Sequence, residues 1–385
     1  MSSELSTAKD LLATLVGFDT TSAKSNLALI DFVEDYLADH GVASVRVVTK
    51  DGQKASLCAT IGDGDGGIGL SGHSDCVPVE GQNWTSDPFT LTERDGKLYG
   101  RGTCDMKGFI ACVLASVPAF KAQPLKEPIH ILISYDEEVG CVGVRPMIAR
   151  FGADLAKPRL VIVGEPTNML VIDGHKCIDV YNTTVTGKEA HSSLPSLGVN
   201  AISAGAKLVD EIDRMAAEAA RSENNPHFEP PYSTMGVAMI DGGAAPNIVP
   251  RSCDILWQMR GLPDTKAKDA ASRLAAFAEK TLLPGMREVA RDAKVETEMQ
   301  TSVPAFSARP GSEAVALAMA LTGANRASAV SYATEAGLFE QAGCPAVVCG
   351  PGDIAQAHAA DEFVAISQIE LCLRFLADLT ARLRG

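Results

Sequence analysis

Apolar positions along the chain follow two rhythms. Leu5, Leu11, Leu12 and Leu15, then Leu29, Phe32, Val33 and Leu37, recur at helical spacing and predict two helices within residues 4–40, the second stopped by Gly41. Beyond them, short apolar runs of strand length alternate with helical patterns: strands at 44–49, 55–61 and 68–72, a helix at 106–120, a strand at 129–134, a helix at 142–150 and a strand at 159–164. This alternation predicts an α/β fold, an open and mostly parallel sheet flanked by helices, whose ligands bind beyond the carboxyl ends of the strands. The glycine-rich GDGDGG at 62–67 leads from one strand directly into the next. It therefore reads as a hairpin turn and not as a phosphate loop, which would open a helix.

The pattern changes after residue 175. Strands at 178–186, 234–240, 247–260 and 293–300 bracket two long Ala-rich helices at 198–220 and 264–281, which reads as a separate α+β unit inserted into the first. A helix at 312–321, a strand at 345–349 and a helix at 366–383 would then return to the original sheet. The expected division is one domain made of 1–175 and 302–385 around an inserted domain of 176–301; 385 residues exceed the size at which a single core keeps growing.

Charge and cysteine usage narrow the partners. A formal net charge of -14 repels phosphate backbones, so no nucleic-acid partner is expected and a small molecule is. The N-terminus lacks a basic stretch followed by an apolar run, and no window reads as a membrane span, so neither secretion nor a membrane partner is expected. Ten cysteines without a Cys-x-x-Cys pair fit reduced thiols in a cytoplasmic protein.

Three apolar strands run into acids or histidine: IGLSG into His73 and Asp75, IHILISY into Asp136, Glu137 and Glu138, and LVIVG into Glu165. In one parallel sheet, neighbouring strand ends lie only about 5 Å apart, so these groups would converge on one edge. Asp105, at the start of the helix 106–120, is either another member of the cluster or that helix's N-cap. Clustered carboxylates cannot all ionise in a cleft unless cations offset them, and imidazole with carboxylate is a zinc-compatible set. His358 follows the strand 345–349 and reads as a further ligand or a plain loop residue; His191, in TGKEAHSS of the inserted unit, is a functional or a surface-loop histidine. His40, His130 and His227 lack such company and are expected to be structural.

With GHSDCVP at 72–78, GRGTCDMKG at 100–108, DEEVG at 136–140, VGEPT at 163–167 and PGDIAQAH at 351–358, the chain resembles the dinuclear zinc amidohydrolase and exopeptidase family over nearly its whole length. The resemblance implies two divalent metal ions, zinc first and cobalt as an alternative. His73 and Glu165 would hold one, Glu138 and His358 the other, and Asp105 would bridge them. It further implies that Asp75 orients the His73 ring, that the Asp105–Met106 peptide is cis, and that Glu137 is the general base. Adjacent residues in extended chain point opposite ways, so Glu138 can face a metal while Glu137 faces the water. His191 would stabilise the oxyanion from a partner subunit, making a homodimer through the inserted lid domain a functional requirement.

Within that family, GRGTCDMKGF, Trp84 and Phe89 in WTSDPF, and SYATEAGLF at 331–339 point to members that deacetylate N2-acetyl-L-ornithine, a step of arginine biosynthesis. Glu335 would pair with the side-chain amine of such a substrate, or else cap the helix beginning near Ala336. Arg260 and Asn247, in the inserted unit, resemble positions that grip substrate, or are ordinary strand-end residues. A succinyl-diaminopimelate desuccinylase or a broader N-acyl amino acid deacylase would use the same residues, as would an aminopeptidase. A metal-free binding protein on this fold would lack ligands or base, and all are present. A Rossmann dehydrogenase and a nucleophilic hydrolase lack their glycine fingerprint and Gly-x-Ser-x-Gly elbow.

Overall fold

A computed structural model describes residues 2–265 and 269–384. The chain forms two compact units, one of Met1–Gly174, Ser307–Ala329 and Thr334–Gly385, the other of His175–Phe306 and Val330–Ala333. In order, the first unit carries α1 (Ser2–Gly17), α2 (Leu27–Asp39), β1 (Ser44–Val48), β2 (Ala55–Ile61), β3 (Ile68–His73), β4 (Thr92–Arg94), β5 (Lys97–Tyr99), α3 (Gly108–Lys121), β6 (Ile129–Ser134), α4 (Val144–Ile148), β7 (Leu160–Pro166) and β8 (Ile172–His175). The second unit follows with β9 (Ile178–Thr186), α5 (Ala201–Ser222), β10 (Thr234–Gly242), β11 (Ser252–Arg260), α6 (Ala270–Phe277), α7 (Leu283–Val289) and β12 (Lys294–Val303). The chain closes with β13 (Phe306–Ser307), α8 (Glu313–Thr322), β14 (Ser328–Val330), α9 (Ala336–Gln341), β15 (Ala346–Gly350), β16 (Phe363–Ala365) and α10 (Ile366–Leu383).

The main sheet runs β1-β2-β6-β3-β7-β15-β8-β13, with β14 against β8. Its centre, β6-β3-β7-β15, is parallel, and antiparallel strands flank it. Every residue of these four central strands is buried. That is why they read as unbroken apolar runs: a parallel strand covered on both faces has no solvent side to alternate toward. Helices α1, α3 and α10 pack with the sheet into one core that includes Leu12, Leu15, Phe109, Val113, Ile131, Ile162 and Leu376. Gly164 in β7 lets α3 approach: a Cβ there would lie 2.1 Å from the Phe109 ring. The segment Thr103–Lys121 is long and apolar enough to resemble a membrane span, which the sequence reading missed, but 89% of its window is buried within the protein, as in a core helix.

GDGDGG is not a hairpin turn. Strand β6 lies between β2 and β3 and pairs with both, so the loop must arch over the start of β6, a span of about 10 Å. Gly62, Gly64, Gly66 and Gly67 take positive φ to do so, and a Cβ on Gly67 would lie 2.3 Å from the Pro128 carbonyl oxygen. A small antiparallel sheet, β16-β5-β4, was not foreseen.

The second unit is a four-stranded antiparallel sheet, β10-β11-β9-β12, with α5 and α6 packed on one face around Tyr181, Ile255, Trp257, Leu208 and Leu274. Burial alternates along β9 and β11, as expected of a sheet covered on one side. The strand expected from 247 begins only at Ser252, because Pro250 just before it offers no N–H to a ladder. The helix expected over 264–281 resolves into α6, a wide turn at Ala278–Leu282 and α7, with residues 266–268 outside the described chain.

Candidate metal centre

The parallel strands end on one edge, and their side chains meet there. His73 is the last residue of β3, Glu137 and Glu138 follow β6, Glu165 lies near the end of β7, and His358 follows β15. Asp105 precedes α3, and the peptide bond that joins it to Met106 is cis. It makes no capping hydrogen bond; its carboxylate reaches both histidines, at 2.9 Å from His73 Nε2 and 3.3 Å from His358 Nε2. His358 Nε2 also lies 3.0 Å from Glu138, and His73 Nε2 lies 3.8 Å from Glu165. Donor atoms of His73, Asp105 and Glu138, and separately of His73, Glu137 and Glu165, lie within 4.8 Å of one another.

Such a cluster is electrostatically unbalanced by itself. Burial, then the Asp105 charge, pushes Glu138 up to about 7, and burial holds Glu137 and Glu165 well above the usual carboxylate range. Asp105 goes the other way: burial opposes its ionisation, but hydrogen bonds from His358 and His73 hold it below the usual range. His358, bonded to Asp105 and Glu138, is raised to about 10. Glu138 Oε1 is buried and accepts no hydrogen bond. An orphaned buried carboxylate oxygen beside imidazole nitrogens and three more carboxylates is the donor set that divalent cations fit, since they supply the positive charge the protein lacks here.

The supports are as informative as the cluster. Asp75 lies 3.4 Å from His73 Nδ1, and its carboxylate also accepts from Ser22 Oγ at 2.7 Å, Glu137 N at 3.1 Å and Glu138 N at 3.3 Å. It thus ties the end of β3 to the backbone of both glutamates. Glu362, which the sequence reading passed over, is 1% exposed and accepts from Arg101 at 2.7 Å and from the backbone N–H of Gly102, Cys104 and Asp105 at 3.0, 2.8 and 3.1 Å. It fixes the Asp105 loop from a point four residues beyond His358. Its only sequence signal is an acid following the histidine in the run HAADEF.

Glu335 occupies the N-cap position of α9 without a capping bond, and accepts instead from Ser71 Oγ at 3.1 Å. It is 1% exposed, and burial pushes it up to about 7. In the second unit, the His191 and Asn247 loops are joined: His191 bridges Ile248, and Ser192 N donates to the Asn247 carbonyl at 3.0 Å. Both side chains are exposed. Arg260 stands at the other end of β11, roughly 25 Å along the strand from Ser252 beside that loop. Of the histidines expected to be structural, His130 is fully buried between Thr60 and the Gly66 carbonyl. All ten cysteines are unpaired and buried.

Residues 69–382 match peptidase family M20/M25/M40. The chain is 34% identical over 397 residues to an acetylornithine deacetylase of Myxococcus xanthus, with all of both chains covered. It is 36% identical over 366 residues to one of Proteus mirabilis, covering 94% of this chain and 92% of the relative. Its fold is similar to that of an M20-family metallo-carboxypeptidase of Sulfolobus solfataricus, with a TM-score of 0.76 at 18% identity and 99% of each chain covered.

Proposed function

The chain belongs to peptidase family M20/M25/M40, and from that premise we propose that it hydrolyses the acetyl amide of N2-acetyl-L-ornithine to L-ornithine and acetate, using two divalent cations, zinc or cobalt. The observation that carries this reading is the meeting of His73, Asp105, Glu138, Glu165 and His358 at one sheet edge, with Glu137 beside them. Identity of 34% and 36% over most of the chain to curated acetylornithine deacetylases supports the choice of substrate.

In this reading His73 and Glu165 would hold one cation and Glu138 and His358 the other, with Asp105 shared between the two pairs. The cations supply Lewis acidity, which lowers the pKa of water and polarises the amide carbonyl. Glu137 takes a proton from the attacking water and hands it to the departing α-amine as the C–N bond breaks, so one carboxylate serves as base and then acid. Asp75 keeps His73 in register with the backbone of Glu137 and Glu138. His191 donates to the oxyanion, and Arg260 and Asn247 hold the substrate's carboxylate end. Glu335 favours a cationic side chain by its charge from beneath Ser71, since at 1% exposure it is not in open contact.

Arg260 and the His191 loop stand at opposite ends of one strand, too far apart to grip a single small substrate. We therefore infer a homodimer in which His191 and Asn247, on their joined loops, come from a second copy and Arg260 from the first. Exposed apolar side chains on the second unit, Met239, Ile240, Ile248 and Met299, support that association.

The test is a pair of rate measurements on metal-stripped and reconstituted protein, with N2-acetyl-L-ornithine and N-succinyl-diaminopimelate. Reconstitution is expected to restore hydrolysis, with a preference of about tenfold or more in kcat/KM for the acetyl compound, equivalent to about 1.4 kcal/mol. A preference for the succinyl compound would overturn the substrate assignment.

A further inference from the structure

Glu137 is held twice. Its backbone N–H donates to Asp75 Oδ1 at 3.1 Å, and its side-chain Oε1 lies 3.2 Å from the Sγ of Cys141. The chain from Tyr135 to Gly143 folds back on itself to make the second contact. Gly140 N and Cys141 N both donate to the Glu137 carbonyl at 2.9 Å, Val142 N to that of Asp136 at 3.0 Å, and Gly143 N to that of Tyr135 at 3.0 Å. The turn thereby sets residue 141 opposite residue 137. Cys141 adopts φ +52° there, a left-handed conformation in which glycine is the low-cost choice. A glycine would bring no donor. Cys141 is 1% exposed, and no other hydrogen bond to the Glu137 carboxylate is found among the described residues.

We propose that Cys141 is a positioning residue for the hydrolysis, its thiol donating to Glu137 Oε1 and so fixing the direction in which the other carboxylate oxygen faces the water. The inference rests on Glu137 being the base, as assigned above. The chemistry of the donor suits that task. A lysine or arginine in its place would pair with the carboxylate and oppose its taking a proton, whereas a thiol is a weak, neutral donor that orients without neutralising. Burial, followed by the neighbouring Glu137 charge, pushes the Cys141 thiol well above its ordinary range, which keeps the proton on sulfur and the donor role intact. Rotational freedom at a catalytic carboxylate is costly, since misplacement by about 1 Å can cost up to 100-fold in rate.

The experiment compares Cys141→Ala, Cys141→Ser and Glu137→Gln with the unaltered protein, each loaded with zinc. A panel of N-acetyl-L-amino acids that includes N2-acetyl-L-ornithine supplies the substrates. Cys141→Ala is expected to lower kcat about tenfold, with KM and bound metal unchanged, and Cys141→Ser, which keeps a donor, to recover most of the loss. Infrared difference spectra against Cys141→Ala give a readout independent of turnover. They should show an S–H stretch shifted down by hydrogen bonding, and that band should move when Glu137 becomes Gln. Should Cys141→Ala fail to fold, the serine variant's kcat and the response of the S–H band to Glu137→Gln decide the matter. The proposal is overturned by an unchanged kcat in the alanine variant, by a loss matched by lost metal, by a serine variant no better than alanine, or by a band indifferent to residue 137. If instead Glu137→Gln keeps full kcat, it is the assignment of the base that fails.

Discussion

The two larger sheets of this protein solve different problems. In the first unit the four central strands are buried along their whole length, so no side chain on their faces can meet a substrate, and chemistry is confined to where the strands stop. Because neighbouring strands stop together, the fold itself gathers His73, Glu138, Glu165 and His358, with Asp105 arriving from the start of α3. The second sheet is covered on one face only. It carries its polar candidates apart, the joined His191 and Asn247 loops near one end of β11 and Arg260 at the other. One unit is a site built by topology; the other is a support that presents isolated groups.

That contrast can be tested, starting where the effect should be largest. Removing divalent metal with a chelator is expected to abolish hydrolysis and to lower the melting temperature of the first unit, because the carboxylate cluster loses the charge that offsets it. Calorimetry with and without added zinc reads both effects, and full activity in metal-free protein would end the amidohydrolase reading. Next, Glu137→Gln should lower kcat by about 100-fold to 10,000-fold, the range of a lost general base, while zinc content stays as it was. A variant that keeps kcat within a few-fold would remove Glu137 from the chemistry.

Smaller effects are expected from the second unit. His191→Ala should act mainly on kcat and Arg260→Ala mainly on KM, each by roughly tenfold to 100-fold. Mixing the two impaired proteins should raise activity above that of either alone if each site draws on two copies, and no gain after subunit exchange would place both residues in one chain. Smallest for activity is Thr183→Val. It strips the Trp257 indole N–H, now 2.9 Å from the Thr183 hydroxyl, of its partner in the second core. A loss of about 1 to 3 kcal/mol in stability is expected by denaturant titration, with metal content and kcat unchanged.

What could be read in the chain and what could not follows from how far each feature reaches. The parallel centre was legible because a doubly covered strand writes itself as a local apolar run, and the site because LSGH, ISYDEE and VGEP each place polar residues directly after such a run. Strand order was not legible. Nothing near GDGDGG says that β6, whose sequence begins about 60 residues later, will come between β2 and β3. The small sheet likewise depends on β16 joining β5, partners more than 260 residues apart. Glu362 and Cys141 escaped for a related reason. A buried acid that collects backbone N–H groups, or a thiol facing a glutamate, has no periodicity and is recognised only by what surrounds it.

The glycine arch at 62–67 has a practical use. Residues 62–65 are exposed, and they connect to the amino end of β3, a strand of six residues with His73 at its far end, so about 20 Å separates the arch from the reacting edge. A fluorophore, an affinity tag or even a spliced peptide grafted between Asp63 and Asp65 should leave catalysis untouched, which makes this loop a handle for tethering the enzyme to a surface with its working edge facing outward.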